Sequence, residues 1–316
     1  MNDTPAAPRS AAVPWQHVTV VGAGVIGASW AALFLAKGLT VTVSDPAPDV
    51  EKQVHDQLNE AVPALRALGL PTDGLDRNLR FEADLEQAVA GTDVVQENGP
   101  ERLDVKRDLF ARIERAAPPD ALLLSSTSGI RATDIAQVLQ QPGRLVIGHP
   151  FNPPHLVPLV EVVPGEETDS EAVRRAVDFY TALGKKPRVL RKEVPGFVAN
   201  RLQAALFREA VNLVVQGVVT ESELDEIVTS SIGLRWAVAG PFRSFHLGGG
   251  PGGLPAFLEH LGPALESQWR DLGTPTLDEA TVKLLSEQAR FGATVEDMQT
   301  ARDEAQIKVM RVLGEP

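Results

Sequence analysis

The chain has 316 residues, 43% of them hydrophobic, with a net charge of −12 and no cysteine. That length fits one large domain or two ordinary ones, and the negative charge argues against a nucleic-acid or anionic-membrane partner, both of which need a basic face. Without cysteine, disulfides, thiolate catalysis and zinc–sulfur sites are excluded, and a cytoplasmic location is the default expectation.

Residues 1–15 are rich in Pro, Ala and Ser, lack the apolar core of a signal peptide, and are expected to form a flexible leader. No apolar run approaches the ~18–20 residues that span a bilayer. A buried strand is predicted over 18–21. Gly22, Gly24 and Gly27 follow as G-x-G-x-x-G, and a helix runs on to about Lys37, with Trp30, Leu33 and Phe34 on one face and Gly38 as its end. A second strand over 39–44 leads to Asp45. In this order the glycines allow a tight turn, close approach to a pyrophosphate, and close helix–strand packing. The helix N-terminus favours phosphate, and Asp45 suits an adenosine ribose. Gly22, Gly24, Val25, Ile26, Gly27 and Asp45 are therefore the expected cofactor-binding residues. Asp45 would repel a 2′-phosphate, and Pro46, Ala47 and Pro48 supply no arginine, so NAD is expected rather than NADP.

The alternation continues with strands over 93–96, in "ALLLSSTSG" and in "RLVIGHP", and helices from about Pro100 and over 132–139. This is the pattern of an α/β, Rossmann-type doubly wound sheet. Ser128 and His149 fall just past strand ends, where such sheets bind ligands. Residues 157–163 read as one more strand, in which Val157, Leu159, Glu161 and Val163 share a face. A carboxylate among three aliphatics needs a partner, and His149, twelve residues earlier, is the candidate.

After about residue 191 no strand pattern remains. Pro195 and Gly196 precede a long helix whose Phe197, Leu202, Leu206, Val211 and Leu213 are expected to be largely buried. Thr220 and Glu223 form a capping-box pattern for the next helix, and "HLGGGPGG" reads as a plain turn. The expected organisation is a leader at 1–15, an NAD-binding domain at 16–192 and an all-α C-terminal substrate and dimerisation domain at 193–316. His17, His55, His155, His246 and His260 form no metal spacing, and no metal is expected.

The segments "GAGVIG", "QENGPERLDVK", "SSTSGI", "GHPFNPP", "LVEVV" and "KEVPGFVANRL" together resemble the 3-hydroxyacyl-CoA dehydrogenase superfamily over roughly residues 17 to 270. "PERLDVK", "RKEVPGF" and "GLRWAVAGPF" look most like its branch acting on free acids of the L-carnitine and L-gulonate type. The resemblance implies NAD-dependent oxidation of a 3-hydroxy acid to the 3-oxo acid, with His149 and Glu161 as a catalytic dyad. It puts Ser128 and Asn200 at the substrate oxygen, and Glu101 and Lys106 on the nicotinamide side of NAD. The expected partners are a small-molecule 3-hydroxy acid and a second copy of the chain through the helical domain; neither nucleic acid nor membrane is expected.

For the substrate, a CoA carrier would need basic residues to hold its phosphates. Residues 46–76 hold only Lys52 and Arg66 against Asp49, Glu51, Asp56, Glu60, Asp73 and Asp76. Arg235 could take a free carboxylate in bidentate fashion, and Trp236 a quaternary ammonium by cation–π contact; the plainer reading is an internal ion pair and a core residue. A short-chain L-3-hydroxyacyl-CoA dehydrogenase is the alternative, and a non-catalytic NAD-binding structural protein a third.

Overall fold

Alternating Val and Thr from His17 to Val21 form β1, and the glycine-rich turn passes into α1, Val25–Ala36. This is a computed structural model, and it describes residues 15–289 and 291–314. β2 (Thr40–Ser44), α2 (Val50–Ala67), β3 (Leu79–Phe81), α3 (Leu85–Val89), β4 (Val94–Glu97) and α4 (Leu103–Ala116) follow. Next come β5 (Leu122–Ser125), α5 (Ala132–Ala136), β6 (Leu145–Pro150), β7 (Leu159–Pro164), α6 (Ser170–Ala182) and β8 (Lys186–Val189). The strands form one sheet in the order β3-β2-β1-β4-β5-β6-β7-β8. Every neighbouring pair is parallel except β6 and β7. The chain reverses direction of travel between β1 and β4, the place where doubly wound sheets open a ligand crevice.

The central strands are nearly continuous Val and Leu because helices cover both faces. α1 is buried from Gly27 to Ala36, so apolar residues surround it rather than striping one side. Its Trp30 stacks on Phe34 at 5.4 Å, and both meet α6 through Tyr180 and Phe179. Trp15 stands edge-on to Phe179 at 5.3 Å and is buried. That corrects the expectation for one leader residue; the rest of the expected leader, 1–14, lies outside the described residues.

Between β2 and β4 the fold adds elements with no assigned pattern in the sequence. α2 buries Val54, Leu58, Ala61 and Leu65 along one stripe. β3 has only three residues, none fully buried, too few to show an alternation. β8, Lys-Pro-Arg-Val, is half-exposed at the sheet edge, where a proline is tolerated.

The chain divides into two units: one runs to Val198 and takes in the segment from Arg302, and the other is Ala199–Ala301. The sequence reading put everything after 193 in the helical part, whereas Ile307 packs with Ala64 and Leu156 of the first unit. The second unit holds α7 (Ala199–Val215), α8 (Glu221–Ser230), α9 (Ile232–Gly248), α10 (Gly253–Asp271) and α11 (Glu279–Gln288); α12 (Val295–Val312) follows. Thr220 caps α8, and its capping box with Glu223 is complete. "HLGGGPGG" is not a plain turn: α9 extends through Gly248, and Gly250–Gly252 form a 3₁₀ turn. α7 is less buried than expected. Val211 and Val214 are covered, but Leu202 is 62% exposed. Apolar spacing marks which side of a helix avoids water, not what covers it in one chain. Among the described residues no helix is long and apolar enough to cross a membrane.

Trp15→Ala should destabilise the first unit by about 3 kcal/mol, because it removes a large buried ring and leaves a cavity. Urea unfolding followed by far-ultraviolet dichroism measures this; an unchanged midpoint would return Trp15 to the leader.

Candidate active site

β6 and β7 are antiparallel, and their register sets His149 directly opposite Glu161. Directly opposed residues on one face are close enough for their side chains to meet. Here His149 Nδ1 lies 2.9 Å from Glu161 Oε2, with the two side chains 5% and 3% exposed. The other carboxylate oxygen, Oε1, accepts the backbone N–H of Val198 at 3.1 Å. The rings of Phe151 and Phe197 flank the imidazole at 4.8 and 5.3 Å. A carboxylate accepting from Nδ1–H leaves the lone pair on Nε2.

Past the ends of β4 and β5 lies a second polar group. Glu101 Oε1 accepts hydrogen bonds from Thr127 Oγ1 (2.6 Å), Ser128 N (3.0 Å), Gly129 N (3.0 Å) and, at 3.3 Å, Ser128 Oγ. Glu101 thus gathers the loop that presents Ser128, and Ser128 itself is exposed. Thr127 Oγ1 accepts the Ile130 N–H and closes the turn before α5.

Lys106 is not a solvated helix charge. Its side chain is 1% exposed, and its ammonium donates to Glu97 Oε1 and Oε2 at 2.8 and 3.0 Å and to the Gly99 carbonyl at 3.2 Å. Glu101 Oε2 is 3.7 Å away. Glu97, absent from the sequence reading, also accepts from Ser125 Oγ at 2.5 Å and Gly99 N at 2.6 Å. It is wholly buried, so one carboxylate joins the ends of β4 and β5 to α4. The available signal was a glutamate ending an apolar strand nine residues before a lysine; the turn between β4 and α4, which the sequence does not reveal, is what brings the two together.

The chemistry of a dinucleotide fits the first βα turn. Gly22 has φ +89°, and a Cβ there would fall 2.8 Å from the Asn98 carbonyl carbon. A Cβ on Gly27 would fall 1.9 Å from the Gly22 oxygen, whereas Gly24 faces open space. Gly24 is the N-cap of α1 and has no side-chain cap, so first-turn N–H groups remain for an anion. Val25, in that turn, is 57% exposed; Ile26 packs against the core. Asp45 Oδ2 accepts the Ala23 N–H at 2.8 Å and Oδ1 the Ala47 N–H at 2.9 Å, fixing the carboxylate beside the turn. A cleft of about 570 Å³, lined by Gly22, Gly24, Asp45, Asn98, Gly99 and Pro100 among others, opens there. That volume is typical of a small-molecule site.

Asn200, Arg235 and Trp236 belong to the second unit. Asn200 is half-buried in the first turn of α7. On α9, Arg235 is exposed and Trp236 is 38% exposed, so Trp236 does not fill a core. His246 stays structural, its Nδ1 accepting the Leu254 N–H at 3.1 Å.

The chain matches the family model described as 3-hydroxyacyl-CoA dehydrogenase, NAD binding domain, over residues 17–194. The model for the C-terminal domain of the same family matches residues 196–285. An L-carnitine dehydrogenase from Streptomyces griseus is 47% identical over 315 residues, covering 99% of this chain and 94% of the relative. Another, from Streptomyces coelicolor, is 46% identical over 302 residues, 95% of each. The crystal structure of 5-formyl-3-hydroxy-2-methylpyridine 4-carboxylic acid 5-dehydrogenase superposes with a TM-score of 0.82 at 32% identity, covering 95% of this chain and 99% of that one.

Glu97→Gln should cost about 3 kcal/mol of stability, because it strips the near partner from a buried ammonium. Chemical denaturation of the variant measures this, and a loss under about 1 kcal/mol, the worth of an exposed pair, would contradict the buried-pair reading.

Proposed function

This chain belongs to the 3-hydroxyacyl-CoA dehydrogenase family, and from that premise we propose that it oxidises the C3 hydroxyl of L-carnitine through the pair His149 and Glu161. It is an NAD-dependent dehydrogenase acting on a CH–OH group. The choice of carnitine within that class rests on one observation, the 47% identity that runs nearly end to end with an L-carnitine dehydrogenase.

His149 takes the hydroxyl proton on Nε2. Glu161 holds the opposite nitrogen, selects that tautomer and stabilises the imidazolium as it forms, which is the logic of a base oriented by an acid. Phe151 and Phe197 limit ring rotation and keep water from the imidazole. Ser128, held in place by Glu101, and Asn200 donate to the substrate oxygen as it becomes a carbonyl. Gly22, Gly24, Val25, Ile26 and Gly27 would hold the pyrophosphate and Asp45 the adenosine ribose, while Glu101 would face the nicotinamide side; Lys106, buried on Glu97, would act on that side only through Glu101, 3.7 Å away. NAD, when bound in that cleft, would supply the hydride acceptor.

A free acid is favoured over a CoA ester by what the segment after β2 does with its two cations. Lys52 pairs with Asp56 at 2.6 Å, and Arg66 donates to Thr72 Oγ1 at 3.3 Å. These are the only two cations of residues 46–76, set against six acids, so the segment repels rather than gathers a nucleotide phosphate. Arg235 suits the substrate carboxylate, and Trp236 the trimethylammonium group.

NADH formation with L-carnitine, L-gulonate, L-3-hydroxybutyrate and its CoA ester, measured in parallel, tests the substrate. Saturation with carnitine at the lowest concentration is expected; saturation with the CoA ester alone would replace this reading with the acyl-CoA one. His149→Gln should lower kcat roughly 10²–10⁴-fold while the NAD dissociation constant, read by fluorescence titration, stays put. A loss of NAD affinity instead would defeat the assignment of a proton acceptor. Arg235→Met should raise KM for free acids with little change in kcat, the mark of binding lost equally in ground and transition states; an unchanged KM would remove Arg235 from the site.

A further inference from the structure

Residues 190–198, which follow β8, deliver two groups to the pair His149 and Glu161: the ring of Phe197 and the N–H of Val198. The segment has no strand or helix of its own to hold it there. Leu190 makes a last contact with the sheet, its N–H donating to the Val162 carbonyl at 2.9 Å. Arg191 and Lys192 are exposed. Glu193, half-buried, fastens the segment again. Its Oε1 accepts the Thr133 N–H at 3.0 Å, and its Oε2 accepts the Thr133 hydroxyl. Thr133 lies in the first turn of α5. Its Oγ1 in turn accepts the Glu166 N–H, at 2.9 Å, from the turn after β7. A carboxylate only accepts, so the direction of the hydroxyl is fixed. Gly165 makes room for the junction: a Cβ there would fall 2.8 Å from the Thr133 nitrogen. Three segments therefore meet at Thr133, and Glu193 is the contribution of the one that leads to the pair.

A tight turn follows. The Phe197 N–H donates to the Val194 carbonyl at 3.0 Å. Pro195 and Gly196 take the two central positions, and Gly196 has φ +72°, the pattern of a type II turn. Phe197 then has φ +50°; among the described residues no other non-glycine has a positive φ. For a bulky side chain this left-handed backbone is an outlier. It persists only where the surroundings hold it. Two contacts at the pair depend on it. The Phe197 ring is wholly buried, in the apolar cluster that includes Ile147 of β6 and Val163 of β7, and lies 5.3 Å from the imidazole. The peptide after it aims the Val198 N–H at Glu161 Oε1, 3.1 Å away.

A left-handed phenylalanine does not hold itself in place, so the turn must be fixed on both sides. The buried ring and the Val198 N–H fix the far side, and Glu193 fixes the near side. We propose that Glu193 is a positioning residue for the oxidation, a role that rests on the reading of His149 and Glu161 as the reacting pair. Fastened to Thr133, it keeps Phe197 left-handed, and so keeps the ring on His149 and the Val198 N–H on Glu161. It acts through those two residues and takes no part in the proton transfer itself. The junction needs correctly placed hydrogen-bonding atoms rather than a charge. A glutamine there would accept the Thr133 N–H on its oxygen and donate its own N–H to Thr133 Oγ1.

Glu193→Ala and Glu193→Gln are compared with the wild type well below their melting temperatures. Steady-state kinetics with L-carnitine, the NAD dissociation constant and hydrogen exchange of the Val198 amide by NMR are measured. Glu193→Ala should lower kcat roughly 10–100-fold, the cost of a slightly misplaced reacting group, while NAD affinity holds. Its Val198 amide should exchange at least about tenfold faster. Glu193→Gln should keep most of the kcat and of the Val198 protection. A lower melting temperature with unchanged kcat in Glu193→Ala would make Glu193 a stability residue only and overturn the proposal. A loss of NAD affinity matching the loss of kcat would do the same, as would a glutamine variant as slow as the alanine one. Where Glu193→Ala does not fold, Thr133→Val removes the hydroxyl and keeps the N–H; a smaller loss of the same kind is expected, and none at all would overturn the proposal. Amide exchange needs no substrate. A wild type inactive on every 3-hydroxy acid would defeat the functional reading, whereas Val198 protection unchanged in Glu193→Ala would defeat the role of Glu193 whatever the substrate.

Discussion

Glu161 carries a carboxylate into the interior of a strand where 3% of its side chain meets solvent. A lone carboxylate there would be costly to desolvate. It is tolerated because the β6–β7 ladder sets His149 opposite it and the chain leaving β8 returns to offer the Val198 N–H. The interaction depends on register. A slip of one residue between β6 and β7 would turn Glu161 to the other face and strand both groups. β7 is also the strand that reverses the otherwise parallel run from β3 to β6. An antiparallel partner places residues twelve apart in sequence side by side across a short connection, which a parallel crossover cannot do.

The same economy of charge organises the neighbouring strand ends. Glu97 and Lys106 form a fully buried pair whose remaining hydrogen-bonding capacity is used on Ser125 and on the two backbone groups of Gly99. The backbone at Asn98 and Gly99 is also what forbids a side chain at Gly22. The turn that would hold the pyrophosphate therefore leans on a strand end braced by Glu97. Glu101 continues the chain of contacts into the Thr127–Gly129 loop. One physical device, a carboxylate accepting several donors past the end of a strand, positions both the cofactor cleft and Ser128.

In the dinucleotide cleft, donors and acceptors are mixed, and Asp45 is fixed by backbone N–H groups while facing the cleft. Mixed groups suit a ligand with hydroxyls and phosphates.

The Rossmann-type sheet, the glycine turn, Asp45 and the capping box of Thr220 were legible in the sequence because each is a local pattern set by backbone sterics or by near neighbours along the chain. The likeness of His149 and Glu161 to a pair was legible too, since a strand period of two makes a buried glutamate conspicuous. Other features required the tertiary structure. Glu97 looks like one more acid at a strand end until α4 brings Lys106 over it, and Trp15 looks like leader until α6 supplies Phe179. α2 and β3 lie in a polar stretch whose burial depends on what the sheet edge covers, and the last helical turns join the first unit only through Ile307. Local sequence determines which conformations a segment can adopt at low cost. Which distant side chain neutralises a charge, or covers an apolar one, is decided only when the chain closes on itself.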